Sequence, residues 1–222
     1  MPASDRSILV QFGQEISEKM HQKVMSLSRS LLDYPNKEII TISPGYSSVL
    51  VRLHNDITLS DGMDIISMSL KKESNAANTK YRNVDIPVCY DDEFCPDIKR
   101  VLEYTGYKKD EIIKRHTESQ YLVYFIGFSA GFPYIGGMDP TLATPRLDVP
   151  RTSVPAGSVG IAGRQTGIYP LSTPGGWNLI GKTPIPLFDS SAPDNGLIQM
   201  GDRIRFISIN RDEFETRSSL EQ

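Results

Sequence analysis

The 222 residues are 39% hydrophobic and 23% charged, which is enough apolar material and length for two small domains. A net charge of −3 without a long basic run argues against nucleic acid or an anionic membrane surface as the main partner. The apolar run from Tyr121 to Phe128 is too short to span a bilayer, and MPASDRSILV lacks the basic-then-apolar order of a signal peptide. A cytoplasmic protein is expected.

Taken in order, Arg6 to Gly13 alternates as a strand does, and Ile16, Met20, Val24, Leu27 and Leu31 then recur at helical spacing up to Pro35. Glu38 to Ser43 and Tyr46 to His54 are β-rich runs joined across Pro44-Gly45, a hairpin signal. Asp61 to Ser74 reads as a second helix with Ile65, Ile66 and Leu70 inward, and Val84 to Tyr90 as a further strand after an Asn-rich link. The order βαββαβ is the ferredoxin-like pattern. Pro96 then opens a short helix with Ile98, Val101 and Leu102 on one face and Gly106 at its stop. A helix over Asp110 to Thr117 leads into the apolar strand Gln120 to Ile126. Cys89 and Cys95, the only cysteines, match neither a zinc set nor a disulfide framework and read as packed free thiols.

The stretch from Gly127 to Asp189 holds 11 of the 17 glycines and 9 of the 15 prolines, so its backbone is built of turns and fixed bends. Short aromatic and β-branched runs between those turns predict a compact barrel or sandwich rather than a linker. Arg203 to Ile209 supplies a last strand, and the polar end from Asn210 to Gln222 is expected to fray.

Two catalytic motifs lie in this stretch and both fail on their flanks. Gly127-Phe128-Ser129-Ala130-Gly131 fits G-x-S-x-G after a strand, but Phe132-Pro133-Tyr134 follows where a helix is required, and His21, His54 and His116 all precede the serine. Gly176 to Thr183 fits G-x-x-x-x-G-K-T, yet Pro184 and Pro186 oppose the helix that a phosphate loop opens, and Trp177, Leu179 and Ile180 look like a buried strand. His116, beside Ile112 and Ile113, reads as a partly buried histidine near a helix end. Arg146, Arg151 and Arg164 either hold a carboxylate or phosphate or merely solvate the rim, and the residues alone leave both readings open. No spaced His/Asp/Glu set resembles a metal site.

The stretch GFSAGFPYIGGMDPTLATPRLDVPRTSVPAGSVGIAGRQTGIYPLSTPGGWNLIGKTPIPLFD resembles the signature region of a family that contains the B-type subunit of 5-oxoprolinase, the Kip-type kinase inhibitor and allophanate hydrolase subunit 1. The likeness extends upstream through IPVCYDDEFCPDIKRVLEYTGYKKDEIIKRHTESQYLVYFIGF and downstream to GDRIRF, with Ala130, Cys95 and Arg164 departing from the usual residues. It implies an α+β chain: a ferredoxin-like domain over residues 1–84, then a cyclophilin-like β-barrel over 85–222 that carries the signature stretch 127–189. It also implies one subunit of an ATP-dependent 5-oxoprolinase, with ATP used by the complex and with sister subunits of the C and A types as partners. The alternatives are an inhibitor of sensor histidine kinase autophosphorylation and a carboxyltransferase-like subunit of a urea carboxylase. No biotinyl-lysine segment is present, so any carboxyl carrier would be another chain.

Residue chemistry then nominates a site in the turn-rich cleft. Arg146 and Arg151 are expected to neutralise an oxyanion, Asp139 to assist proton transfer, Gln165 and Tyr169 to orient an amide, and Phe132 and Tyr134 to line the substrate pocket.

Overall fold

A computed structural model describes residues 1–33, 37–72, 81–189, 191 and 196–220. The expected helix stop at Pro35, the end of the second helix at Ser74 and the last two residues of the polar tail lie outside these. The chain divides into two compact units, Met1–Lys80 and Tyr81–Gln222.

The first unit runs β1 (Pro2–Ser4), β2 (Ser7–Gln11), α1 (Glu18–Leu32), β3 (Ile39–Pro44), β4 (Ser48–Leu53) and α2 (Leu59–Lys72). Its four strands lie in the order β1-β2-β4-β3, all antiparallel. Val49, Val51 and Leu53 alternate inward along β4 and meet Val24, Leu27 and Leu31 of α1 with Ile65 and Ile66 of α2. Ser17 caps α1 by accepting the Met20 amide at 3.3 Å. The hairpin joins β3 to β4 at the expected Pro44-Gly45, where the Gly45 amide donates to Ser48 at 2.8 Å.

One strand is placed differently from the sequence pattern. Val84 to Tyr90 corresponds to β5 (Asn83–Cys89), which leaves the first sheet and pairs in parallel with β13 (Arg203–Ile209) along all seven residues. The edge beside β2 is filled instead by β1. Alternation along β5 marks a strand but carries nothing about a partner 120 residues away, so local pattern could not choose the sheet.

The second unit adds β6 (Tyr121–Ile126), β7 (Pro133–Gly136), β9 (Ser158–Ala162), β10 (Gln165–Ile168) and β12 (Asn178–Lys182) to those two strands. Together they form a closed barrel in the order β10-β7-β6-β13-β5-β12-β9. Ile86, Val88, Val123, Ile135, Val159, Ile161, Ile168, Ile180, Ile204 and Phe206 fill the interior. A small ribbon of β8 (Arg151–Val154) with β11 (Thr173–Gly175) stands outside the barrel ladder. Helices α3 (Ile98–Thr105) and α4 (Lys109–Glu118) add Val101 and Ile112 to the same core, and Gly106 ends α3 in the left-handed conformation its sequence predicts. The polar end does not fray where it is described: α5 (Arg211–Leu220) docks Phe214 against Cys89, Ile209 and Phe94.

His116 is fully buried and holds the barrel interior together. Its Nδ1 lies 2.8 Å from the Tyr90 hydroxyl and its Nε2 2.9 Å from Thr166 Oγ1, while Thr166 donates to the Gly160 carbonyl. The threonine proton is therefore committed, so Nε2 carries the hydrogen and Nδ1 accepts from Tyr90. Burial lowers the His116 pKa to about 3, which keeps the ring neutral.

Candidate functional site

The barrel strands deliver aromatic residues to one place. Phe132 stands just before β7, Tyr169 just after β10 and Trp177 just before β12. Their rings meet edge to face: Phe132 to Tyr169 at 5.4 Å, Phe132 to Trp177 at 5.7 Å and Tyr169 to Trp177 at 6.4 Å. Tyr134 closes on Phe132 at 5.5 Å and stacks on Phe125. Two glycines make room for this. A Cβ on Gly167 would lie 2.9 Å from Trp177, and one on Gly175 would clash with the Tyr169 hydroxyl.

These rings, with Phe128, Arg146, Pro150, Pro174, Gly175 and Gly176, enclose a cavity of about 310 Å³. Among the described residues Arg146 is the single charged one that lines it. The segment carrying Arg146 is held by its backbone: buried Asn178 donates to the Pro145 carbonyl at 2.9 Å, Arg100 donates to the Arg146 carbonyl at 3.3 Å, and the Leu147 amide donates to Gly176 at 2.8 Å. The Arg146 guanidinium forms no ion pair among the described residues. A fixed backbone with an uncommitted cation is suited to receive an anion.

Burial raises the Tyr169 hydroxyl above its ordinary pKa, opposed by the Trp177 backbone and the charges of Arg146 and Arg151. The phenol keeps its proton at neutral pH and can donate it in a hydrogen bond. Arg151 is close enough to influence Tyr169 but is itself engaged, with Nη2 on Asp97 Oδ1 at 2.6 Å.

The site residues expected from sequence thus separate. Phe132, Tyr134, Arg146 and Tyr169 come together in the cavity wall. Arg151 does not line it and is paired with Asp97, and Gln165 begins β10 opposite Ala162 in the β9–β10 pairing. Asp139 caps a short turn: its Oδ1 accepts the Thr141 amide at 2.9 Å and hydroxyl at 2.7 Å, and its Oδ2 pairs with Arg115 at 2.9 Å. Those hydrogen bonds from Thr141, with Arg115 beside them, hold the Asp139 carboxyl below the usual range. Neither Asp139 nor Gln165 lines the cavity. Phe128, Pro150, Pro174, Gly175, Gly176 and Trp177 also line it and are not nominated by residue chemistry, though a single tryptophan directly after paired glycines is a signal.

Both catalytic lookalikes are resolved by their backbones. Gly176 to Thr183 contains the buried strand β12 and no helix opens at Lys182, so it does not form a phosphate loop. Gly127 to Gly131 is the β6–β7 turn, with no helix after Ser129, and His116 is spent on Tyr90 and Thr166. Among the described residues no group of three or more His, Cys, Asp or Glu could hold a metal ion. No helix among them is long and apolar enough to cross a membrane.

A family model described as the carboxyltransferase domain, subdomain C and D, matches residues 1–198. The chain belongs to that family. Within the carboxyltransferase C and D family it is 37% identical over 221 residues to the B-type subunit of 5-oxoprolinase from Bacillus subtilis (strain 168), covering 95% of this chain and 92% of the relative. It is 36% identical over 205 residues to the corresponding 5-oxoprolinase subunit of Escherichia coli O157:H7, covering 91% and 92%. The crystal structure of TTHA0988 superposes with a TM-score of 0.81 at 30% identity over 92% of this chain. This member of the carboxyltransferase C and D family spans 40% of the TTHA0988 chain.

Proposed function

We propose that this chain is the B-type subunit of an ATP-dependent 5-oxoprolinase complex, which opens 5-oxoproline to L-glutamate together with sister subunits of the C and A types. The observation that carries this reading is the uncommitted Arg146 on an aromatic cavity of about 310 Å³, in a chain whose relatives are named as 5-oxoprolinase subunits of that type. 5-Oxoproline is a small lactam ring bearing one carboxylate. Its ring fits against Phe132, Tyr134 and Trp177, and its carboxylate meets Arg146 as a charge-assisted pair. The Tyr169 hydroxyl donates to the lactam carbonyl, which gains negative character as the amide is activated.

The remaining residues support that arrangement. Arg151, pinned by Asp97, adds positive potential beside Tyr169 without leaving its partner. Asp139 keeps the turn at residues 140–142 in shape and takes no part in proton transfer. ATP supplies the driving force that a resonance-stabilised lactam requires. Residues 176–183 are a barrel strand and its flanks and do not form a phosphate loop, and ATP is used at the level of the complex. The place of action is the cytoplasm.

The test is to purify this chain with its sister subunits and measure ATP hydrolysis with and without 5-oxoproline. Stimulation by 5-oxoproline that depends on this chain is the expected result. Absence of stimulation, with inhibition of a sensor histidine kinase instead, would replace the enzyme reading with the inhibitor reading.

A further inference from the structure

Phe128 is the only residue other than glycine with a positive φ among the described residues, at 66°. An aromatic residue in the left-handed region is disfavoured by contact between its Cβ and the neighbouring carbonyl, and such positions persist where they serve a site. The ring is also 69% exposed, so the free chain gains little from burying it. Two tight contacts hold the turn in this form: the Ser129 amide donates to Gly127 at 2.8 Å and the Phe132 amide to Ser129 at 3.1 Å. Gly131 follows at a φ of 74°, packed on Phe188.

The turn aims the ring at the cavity. Phe128 lines it and stands edge to face on Phe132 at 5.6 Å, and Phe132 in turn contacts Tyr169 and Trp177. The aromatic series therefore continues from the buried wall to an exposed ring at the mouth. Pro150 and Pro174 line the same cavity and offer exposed apolar surface.

We propose that Phe128 is the closing ring of this cavity, a substrate-contacting residue that covers a bound lactam and excludes water from it. This rests on the reading of the cavity as the 5-oxoproline site. A ligand ring under Phe128 adds to its edge contact with Phe132 and covers part of the 69% of the residue that is exposed. Water exclusion also strengthens the Arg146–carboxylate pair by lowering the local dielectric. Contact with Phe132 and the cavity favours this role over docking of another protein at the turn.

The test compares Phe128→Asn, which tolerates the left-handed backbone but removes the ring, with Phe128→Gly and Phe128→Tyr in the assembled complex. Removing the ring should raise the KM for 5-oxoproline by about tenfold, with Phe128→Tyr close to wild type and co-purification with the sister subunits unchanged. An unchanged KM in both Phe128→Asn and Phe128→Gly overturns the proposal, as does loss of the sister subunits from either variant, which would make the ring a docking contact. Arg146→Ala in the same assay separates the two levels. If it raises KM while the ring variants do not, the cavity reading stands and the closing ring falls; if no variant changes KM, both fall.

Discussion

Arg151 and Asp97 meet at 2.6 Å, and the other oxygen of the same carboxylate accepts the Leu179 amide at 2.7 Å. Asp97 is nearly buried just ahead of α3, Arg151 begins β8 and Leu179 lies in β12. One carboxylate therefore ties a helix, a ribbon and a barrel strand together. Asp97→Asn keeps an acceptor for Leu179 but discards the ion pair, and should lower stability by about 2 kcal/mol, the buried-pair figure reduced for the partly exposed arginine. Asp97→Ala should cost about 3 kcal/mol, because the Leu179 amide also loses its partner. Urea unfolding measures both, and equal stability of Asp97→Ala and wild type would refute the tie.

Arg146 is predicted to act on ligand and not on fold. Its side chain has no carboxylate partner among the described residues, so Arg146→Ala should leave the melting temperature unchanged. Loss of a charge-assisted contact should raise the KM for 5-oxoproline by about tenfold to a hundredfold, with Arg146→Lys intermediate. Steady-state kinetics on the assembled complex decides it.

Gly175→Ala probes the Tyr169 hydroxyl by steric means. The added methyl would overlap that oxygen, so the ring must move or the strand must shift, at about 2 kcal/mol. The displaced phenol should also weaken binding, and the single tryptophan, Trp177 in the same wall, reports the change through its fluorescence. An alanine variant with wild-type stability and spectrum would show that the wall yields to the added methyl.

His116 makes stability depend on pH. Its folded pKa of about 3 lies below the value near 6.5 of an unfolded histidine, so between these limits the unfolded chain binds the extra proton. Stability contributed by the neutral ring is complete above pH 6.5 and is lost on acidification, by about 2 kcal/mol between pH 7 and pH 5. His116→Gln can keep both hydrogen bonds without titrating, and should flatten that part of the profile. An unchanged profile would mean that another group causes the acid loss.

Much of the fold was legible because local periodicity carries it. Val49, Val51 and Leu53 alternate inward as their pattern predicts, Pro44-Gly45 turns a hairpin, and Gly106 stops a helix. The closed barrel also agrees with the short apolar runs between glycines and prolines. Long-range choices were not legible. Nothing near Val84 indicates a parallel partner at Ile204, and nothing in Pro2–Ser4 marks an edge strand. The docking of α5 depends on one residue, Phe214, in an otherwise polar segment. At the site, residue chemistry nominates Arg146, Phe132, Tyr134 and Tyr169, which the fold brings to the wall of one cavity. It could not tell that Asp139 is spent on Thr141 and Arg115, because capping and catalysis use the same carboxylate.

The most direct measurement of the central claim is glutamate release from 5-oxoproline and ATP by the reconstituted complex, with wild-type chain, with Arg146→Ala, and with the chain omitted. Full turnover is expected with the wild-type chain, a large loss at subsaturating 5-oxoproline that recovers at high concentration with Arg146→Ala, and no turnover with the chain omitted. Equal glutamate release in all three would contradict it.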